Sequence, residues 1–179
     1  LRGSICVYQG EELGLGEADV AFDDLQDPYG ITFWPTFKGR DGCRTPMPWH
    51  HNSEFAGFST QAPWLPLCQE HAAYSVEQQL AEPDSTLQLF SHFMTWRKTM
   101  PTLLFGNIEF IDTPEPILAF YRSYQNERTL CVFNLSAQAQ SLRLTLTAPG
   151  KHTELRHNVG YYHDGGITLE SHGCFIASV

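Results

Sequence analysis

Residues 39–49 read GRDGCRTPMPW, and this stretch decides how the rest of the chain is interpreted. Two arginines, one aspartate, two prolines and one tryptophan lie within eleven residues. Glycine and proline at this spacing are incompatible with a helix interior or a central strand. The stretch is therefore predicted to be a stiff loop that gathers hydrogen-bond donors and an aromatic face, as a binding loop does.

Composition limits the classes of partner that the protein can have. The chain has 179 residues, of which 42% are apolar and 13% aromatic, so it can form one packed domain or two small ones. Its formal net charge is −9 at pH 7. An acidic surface is unsuited to the phosphates of nucleic acids and to anionic membrane surfaces. We therefore expect neither a nucleic acid nor a membrane partner.

The cysteines bear on location and on metals. There are five, none forms a C-x-x-C pair, and their spacing is wide and irregular: Cys6, Cys43, Cys68, Cys131 and Cys174. A reduced, cytoplasmic setting is the simpler interpretation.

His50 and His51 have no further ligand at helical or hairpin spacing, and the aspartates of 19–27 lack the calcium-hand pattern. No metal and no cofactor are expected.

The first hundred residues show one strand pattern and one helix pattern. Residues 4–8 form a short apolar run of the kind found in strands buried on both faces. About seventy irregular residues follow, a length that is usually functional in a compact domain. Residues 84–100 carry an apolar stripe at helical spacing, and Pro101 is expected to end that helix.

The remaining residues have the texture of an all-β domain. Five short strands are predicted, separated by turns at 113–116, 125–127 and 148–150. The predicted strands are 107–111, 117–123, 129–134, 141–146 and 173–179. Strands at such regular spacing favour an antiparallel sandwich. The chain is thus divided into residues 1–101 and residues 102–179.

A set of motifs in a fixed order carries a family resemblance. Tyr8-Gln-Gly-Glu-Glu-Leu-Gly14 follows the apolar run, Arg40-Asp-Gly-Cys-Arg-Thr-Pro-Met-Pro-Trp49 comes next, and Gly57-Phe-Ser59 and Pro63-Trp-Leu-Pro66 follow. In this order the chain resembles the α-glucosidase and oligo-1,6-glucosidase branch of the α-amylase superfamily, which is glycoside hydrolase family 13. The resemblance is strongest over residues 3–66.

The resemblance implies an architecture. Family members have a catalytic (β/α)8 barrel followed by an antiparallel β domain. Residues 4–8 would be the eighth barrel strand and 85–99 the eighth helix, with the long irregular stretch as the loop between them. Residues 1–101 would then be the α/β tail of the barrel, and residues 102–179 the all-β sandwich domain. Loops at the carboxyl ends of barrel strands build the active site.

The resemblance also assigns the chemistry. Retaining glycosidases need two carboxylates about 5 Å apart, and the adjacent Glu11 and Glu12 are expected to point to opposite sides of an extended chain. In the family, the nucleophilic Asp, the acid/base Glu and the stabilising Asp all lie upstream of the position matching Leu1. No catalytic residue is therefore predicted here. The parent protein would be a retaining α-glucosidase acting on short α-glucoside oligosaccharides, and this part alone would be inactive.

The binding loop supplies the candidate substrate contacts. The Arg before Thr-Pro-Met reaches glucose in the innermost subsite of the resembling enzymes, and Arg44 matches it. Arg40 and Trp49 are the further candidates, although Arg40, with Asp41, is expected chiefly to brace the loop. Tyr8, Gln9 and Glu12 lie at the presumed strand end. With Asp41, they are candidates for supporting the upstream catalytic groups, while Glu12 is expected mainly to satisfy backbone donors.

Other interpretations of the sequence stay open. The parent could be a sucrose isomerase or a trehalose synthase-type transglycosylase, since the loops that divert glucose from water lie mostly upstream. Residues 102–179 could instead be a non-catalytic carbohydrate-binding or structural sandwich module. Studied alone, the chain is expected to self-associate through residues 1–100, because the strand and the helix would lack their barrel neighbours.

Overall fold

A computed structural model describes residues 1–146 and 160–179 of the chain. The chain forms two compact units. One runs from Cys6 to Ser91, and the other consists of Leu1–Ile5 together with His92–Val179. None of the helices in the described ranges is long and apolar enough to cross a membrane. The boundary that the sequence predicts after residue 101 stays a prediction.

The unit from Cys6 to Ser91 is built from loops and short helices. Two are α-helices, α1 at Pro28–Phe33 and α2 at Val76–Ala81. Four are 3-10 helices, at Glu11–Leu13, Phe22–Asp24, Asp41–Cys43 and Gln69–Tyr74. None of these is longer than six residues. The sequence predicts an irregular stretch here because helices of one or two turns are too short to produce a visible period.

The strand predicted at residues 4–8 is not formed. These five residues have no strand partner in the described part of the chain, and their side chains are exposed. A strand needs hydrogen-bonded neighbours at its edges, and the described residues provide none for a run that the sequence pattern expects to be buried on both faces. The prediction was wrong for this chain taken alone.

The predicted helix is confirmed with shorter ends. Helix α3 spans Thr86–Lys98, and Pro101 begins a separate helix α4, Pro101–Phe105, at its first position. Proline suits that position because a backbone N–H there has no acceptor within the helix, so its absence costs no hydrogen bond. Phe93, Trp96 and Met100 pack against a buried cluster made by Leu103, Phe120, Cys131 and Ile176.

The β domain consists of two antiparallel sheets. The strands are β1 Asn107–Ile111, β2 Ile117–Tyr124, β3 Glu127–Asn134, β4 Gln140–Arg143, β5 Tyr161–His163, β6 Gly166–Leu169 and β7 Cys174–Ser178. One sheet has the order β1-β2-β3-β7, and the other has β4-β6-β5. All pairings are antiparallel. Buried side chains of both sheets form one core, which includes Leu130, Val132, Leu142, Ile167 and Phe175. The expected sandwich is confirmed.

The five strands predicted for the β domain are found, one of them shortened. Two further strands, β5 and β6, were not predicted. The strand expected over 141–146 ends at Arg143. Strands β5 and β6 are three and four residues long, and Asp164-Gly165 joins them with positive φ at both positions. Asp-Gly in that conformation is a strong hairpin signal that the sequence analysis did not use. The predicted turn at 148–150 lies outside the described residues.

A buried arginine ties the start of the chain to the sandwich. Arg122 on β2 is 1% exposed. Its Nη1 donates to the Leu1 carbonyl and its Nη2 to the Gly106 carbonyl, each at 2.9 Å. Burial lowers the pKa of this guanidinium, and its Nε has no hydrogen-bond partner in the described structure.

Candidate functional site

The loop 39–49 is anchored through the carboxylate of Asp41. This side chain is fully buried. Its Oδ2 accepts hydrogen bonds from the backbone N–H of Gln26 at 2.6 Å and of Asp27 at 2.7 Å. Hydrogen bonds to an ionised acceptor are stronger than neutral ones. Asp41 therefore fixes the binding loop to the segment that begins α1.

Asp27 completes the anchor from the other side. Its Oδ1 accepts from the backbone N–H of Tyr29 at 3.0 Å and so caps α1, which has Pro28 at its first position. Its Oδ2 accepts from the backbone N–H of Arg40 at 2.9 Å. The pKa of Asp27 is lowered, and the hydrogen bond from the Tyr29 N–H is the largest cause. Desolvation raises the pKa, but the Arg40 N–H and the charges of Arg40 and Arg44 lower it further.

Two glycines make this close packing possible. Gly39 has φ of +77°, and a Cβ there would lie 3.0 Å from the Asp27 side chain. A Cβ on Gly42 would lie 2.3 Å from the Ala18 carbonyl oxygen. The first position needs glycine for its left-handed backbone and the second for space. The glycines of 39–49 thus allow the loop to press against its supports.

The three predicted substrate contacts differ in their surroundings. Arg44 is half-buried, and its backbone N–H donates to the Asp41 carbonyl at 2.9 Å. The Arg40 side chain is 67% exposed, with Nε 3.8 Å from Asp27 Oδ2, so its ionic partner is an aspartate that sequence reasoning did not single out. Trp49 is 45% exposed. That these residues contact substrate stays a prediction.

Tyr8 and Gln9 line a cavity of about 190 Å³ together with Thr45, Met47 and His71. The structure thus brings two predicted supporting residues next to the binding loop. Arg44, Arg40, Asp41 and Glu12 do not line this cavity.

The two adjacent glutamates are occupied by their own turn. Glu11 Oε2 accepts from the backbone N–H of Tyr8 at 3.2 Å. Glu12 Oε2 accepts from the backbone N–H of Gly10 at 2.9 Å. A retaining glycosidase needs two carboxylates that face one bond, and these two instead stabilise a tight turn. Among the described residues, no group of three or more His, Cys, Asp or Glu side chains could hold a metal ion.

His71 is a site residue that the sequence analysis missed. It is 7% exposed, and its Nε2 lies 2.9 Å from the Gly16 carbonyl oxygen. Its buried Nδ1 has no hydrogen-bond partner in the part of the chain that the structure describes. No local signal marks His71, because Gly16 lies far from it in the sequence.

Family models match nearly the whole chain. The model described as alpha amylase, catalytic domain, matches residues 1–106. The model described as maltogenic amylase, C-terminal domain, matches residues 108–176. The junction of the two models therefore falls where α4 ends and β1 begins.

Curated relatives are similar over most of this chain. It is 45% identical to a "Probable alpha-glucosidase" of Rhizobium meliloti over 99% of the chain and 32% of the relative. It is 27% identical to an "Oligo-1,6-glucosidase" of Parageobacillus thermoglucosidasius over 80% of the chain and 29% of the relative. The chain thus spans about a third of the length of these relatives.

Solved structures share the fold. The crystal structure of the alpha-glucosyl transfer enzyme XgtA superposes with a TM-score of 0.93 at 50% identity, over 99% of this chain and 33% of that one. A trehalulose synthase, MutB, superposes with a TM-score of 0.82 at 22% identity over 100% of this chain and 36% of that one. At that identity the second likeness concerns the fold alone.

Proposed function

Because the chain belongs to the α-amylase family, we propose that it is the C-terminal portion of a retaining α-glucosidase. The parent enzyme would hydrolyse terminal α-linked glucose from short oligosaccharides without a cofactor. The observation that carries this proposal is the similarity to a probable α-glucosidase along the whole chain. In this proposal residues 1–101 are the end of the barrel and residues 102–179 the sandwich domain, and the two family models meet a few residues later, at 106–108.

In this proposal the anchored loop holds the substrate. Arg44 would donate hydrogen bonds to two hydroxyls of the terminal glucose, since a guanidinium offers a rigid fork of donors. Its half-buried position supports this role, because a partly desolvated donor binds a neutral hydroxyl more strongly than an exposed one. Arg40 would bind sugar or brace the loop, and Asp41 would hold the loop in place.

The cavity beside the loop has a supporting role in the same proposal. Tyr8 and Gln9 would back the catalytic groups that the upstream barrel contributes, and Glu12 would keep their turn in shape. The three catalytic carboxylates would come from upstream, so this part alone would be inactive. The engagement of Glu11 and Glu12 by main-chain N–H groups supports that view.

We also propose that the parent works in the cytoplasm. All five cysteines are free thiols. Free thiols in this number are usual in a reducing compartment, where disulfides are rare.

A second function is favoured by one comparison. The structure with 50% identity is that of an enzyme named for α-glucosyl transfer. A retaining mechanism forms a covalent glucosyl intermediate, which either water or a sugar hydroxyl can attack. A transglycosylating parent is therefore the alternative, with the same binding roles for the residues of this chain.

Product analysis of the full-length protein tests both functions. We expect maltose, isomaltose or sucrose to release glucose first as the α-anomer, observed by NMR, while the 179-residue chain releases none. Glucosylated or isomerised sugars as main products would favour the alternative. Release of β-glucose first, or turnover of no α-glucoside, would contradict the proposal.

A further inference from the structure

Trp49 is held firmly by its backbone although much of its ring is exposed. Its N–H donates to the Ala56 carbonyl at 2.8 Å, and its carbonyl accepts from the Glu77 N–H at 3.1 Å. The preceding carbonyl, of Pro48, accepts from the Val76 N–H at 2.9 Å. The residue is thus fixed between a turn and the start of α2. A residue whose backbone is already held in place loses less conformational entropy when a ligand covers its side chain.

The exposed ring of Trp49 is one wall of a groove. The groove has a volume of about 570 Å³ and is lined by Trp49, His50, Gly57, Val76, Glu77 and Leu80. We call it the Trp49 groove. Its volume lies within the range of small-molecule sites. It shares no lining residue with the cavity that contains Tyr8 and Gln9, so the two form separate places for a ligand.

A polar edge accompanies this apolar surface. His50 Nδ1 lies 3.4 Å from Glu77 Oε2, and the same carboxylate oxygen accepts from the His51 N–H at 3.4 Å. Gly57 makes room for the imidazole, because a Cβ at that position would lie 2.3 Å from His50 Cδ2. The position of His50 beside Glu77 therefore depends on a glycine in the adjoining turn.

We propose that the Trp49 groove binds the third glucosyl unit of an α-glucoside, two positions beyond the terminal unit that Arg44 holds. A pyranose ring has an apolar C–H face that can cover Trp49 and a rim of hydroxyls that can bond to Glu77 and His50. A purely apolar partner that covered this edge would displace water from Glu77 and His50 without replacing its hydrogen bonds, which is unfavourable. The inference rests on the proposed function, and it deepens that function by giving the parent a preference for longer substrates.

Kinetics of the full-length enzyme on maltose and maltotriose test the inference. Trp49→Ala is expected to raise KM for maltotriose about five- to tenfold relative to KM for maltose, as loss of an aromatic contact would. Glu77→Gln should raise the maltotriose KM about twofold, the size of one weak hydrogen bond. Trp49→Phe should keep most of the affinity, because a phenylalanine ring also offers an aromatic face to a sugar.

Trp64→Ala is the matched control. Trp64 belongs to the same unit, is 67% exposed and does not line the groove. Its replacement should leave KM unchanged for both sugars. Equal KM values for Trp49→Ala and wild type, or equal losses on maltose and maltotriose, would overturn the inference. The inference also requires the Trp49 ring to be accessible in the unliganded full-length enzyme. Acrylamide quenching of tryptophan fluorescence in wild type and in Trp49→Phe gives the contribution of Trp49. If Trp49 contributes no quenching, its ring is shielded and the inference is overturned.

Equilibrium binding separates this inference from the proposed function. Maltotriose binding followed by tryptophan fluorescence requires no turnover. If the full-length protein turns over neither sugar but binds maltotriose through Trp49, the groove is supported and the proposed reaction fails. If the enzyme is active and its maltotriose affinity does not depend on Trp49, the reaction is supported and the groove is overturned.

Discussion

Asp27 and Asp41 each bind the backbone of the segment that carries the other. Asp41 Oδ2 accepts from the Asp27 N–H at 2.7 Å, and Asp27 Oδ2 accepts from the Arg40 N–H at 2.9 Å. This reciprocal arrangement fixes the binding loop to the start of α1 through charged acceptors that are both buried. The loop therefore has its own support within the unit from Cys6 to Ser91.

The contribution of Asp27 to stability should depend on pH. Its pKa is lowered in the folded protein, so its carboxylate stabilises the fold above the unfolded value of about 3.9 and loses this effect as pH falls through the folded value. Asp27→Asn should lower the urea midpoint at pH 7, and its difference from wild type should shrink below about pH 4. Exposed Asp23→Asn is the control, and an equal difference at pH 3 and pH 7 would contradict the prediction.

Arg44 should matter for substrate in the full-length enzyme. Arg44→Lys keeps the charge but loses the fork of donors. We expect kcat/KM for maltose to fall about 10- to 100-fold, the equivalent of one hydrogen bond to a charged group. Arg143→Lys, at an exposed position of the sandwich, should have no effect. Equal activities of Arg44→Lys and wild type would remove Arg44 from the proposed site.

Cys131 should be inert toward alkylation in the native protein. It is 2% exposed, and burial raises its pKa to about 12. At pH 8 only about one molecule in ten thousand carries the reactive thiolate. Iodoacetamide followed by peptide mass spectrometry should label the exposed Cys6 and Cys43 well before Cys131. Labelling of Cys131 as fast as Cys43 would contradict this, whereas labelling after denaturation is expected.

Leu130 should be a major contributor to the stability of the sandwich. It is 0% exposed and lies in the core between the two sheets. Leu130→Ala should lower the free energy of unfolding by about 2–5 kcal/mol through lost burial and the cavity that remains. Leu135, which is 63% exposed, is the control. Leu135→Ala should change stability by less than about 0.5 kcal/mol, and similar losses for both variants would refute the core assignment.

The 179-residue chain should self-associate through residues 1–100. Ile5 and Val7 are 62% and 39% exposed within a run that the sequence pattern expects to be buried. Sedimentation velocity should show a dimer or larger species that grows with protein concentration. An Ile5→Ser, Val7→Ser double variant should shift the population toward monomer. A monodisperse wild-type monomer at all concentrations would contradict the prediction.

Local patterns were enough to predict much of the fold. Proline and glycine identify 39–49 as a loop, and apolar residues at helical spacing identify α3. Alternation and turn residues identify β1, β2, β3 and β7 within a few residues of their observed bounds. These signals succeed because each depends on residues that are near neighbours in the sequence.

Long-range contacts were not predictable in the same way. Asp27 supports Arg40 across 13 positions, and His71 contacts Gly16 across 55. Nothing in a single sequence pairs such residues, and the aspartates of 19–27 were considered only as an unlikely calcium loop. The run 4–8 has the apolar pattern of a buried strand but has no strand partner among the described residues. An apolar pattern indicates that a segment is suited to burial, but it does not show which other segments are present to cover it.

The buried guanidinium of Arg122 limits how freely the sandwich can be exchanged between proteins. A recombination event that joined residues 102–179 to a foreign barrel would leave Nη1 of Arg122 without the Leu1 carbonyl that it bonds at 2.9 Å. An unmet donor on a buried charged group is strongly unfavourable. A foreign barrel would therefore have to place a main-chain carbonyl at the same point, so exchange of the sandwich is expected to succeed only between barrels whose chain runs alike there.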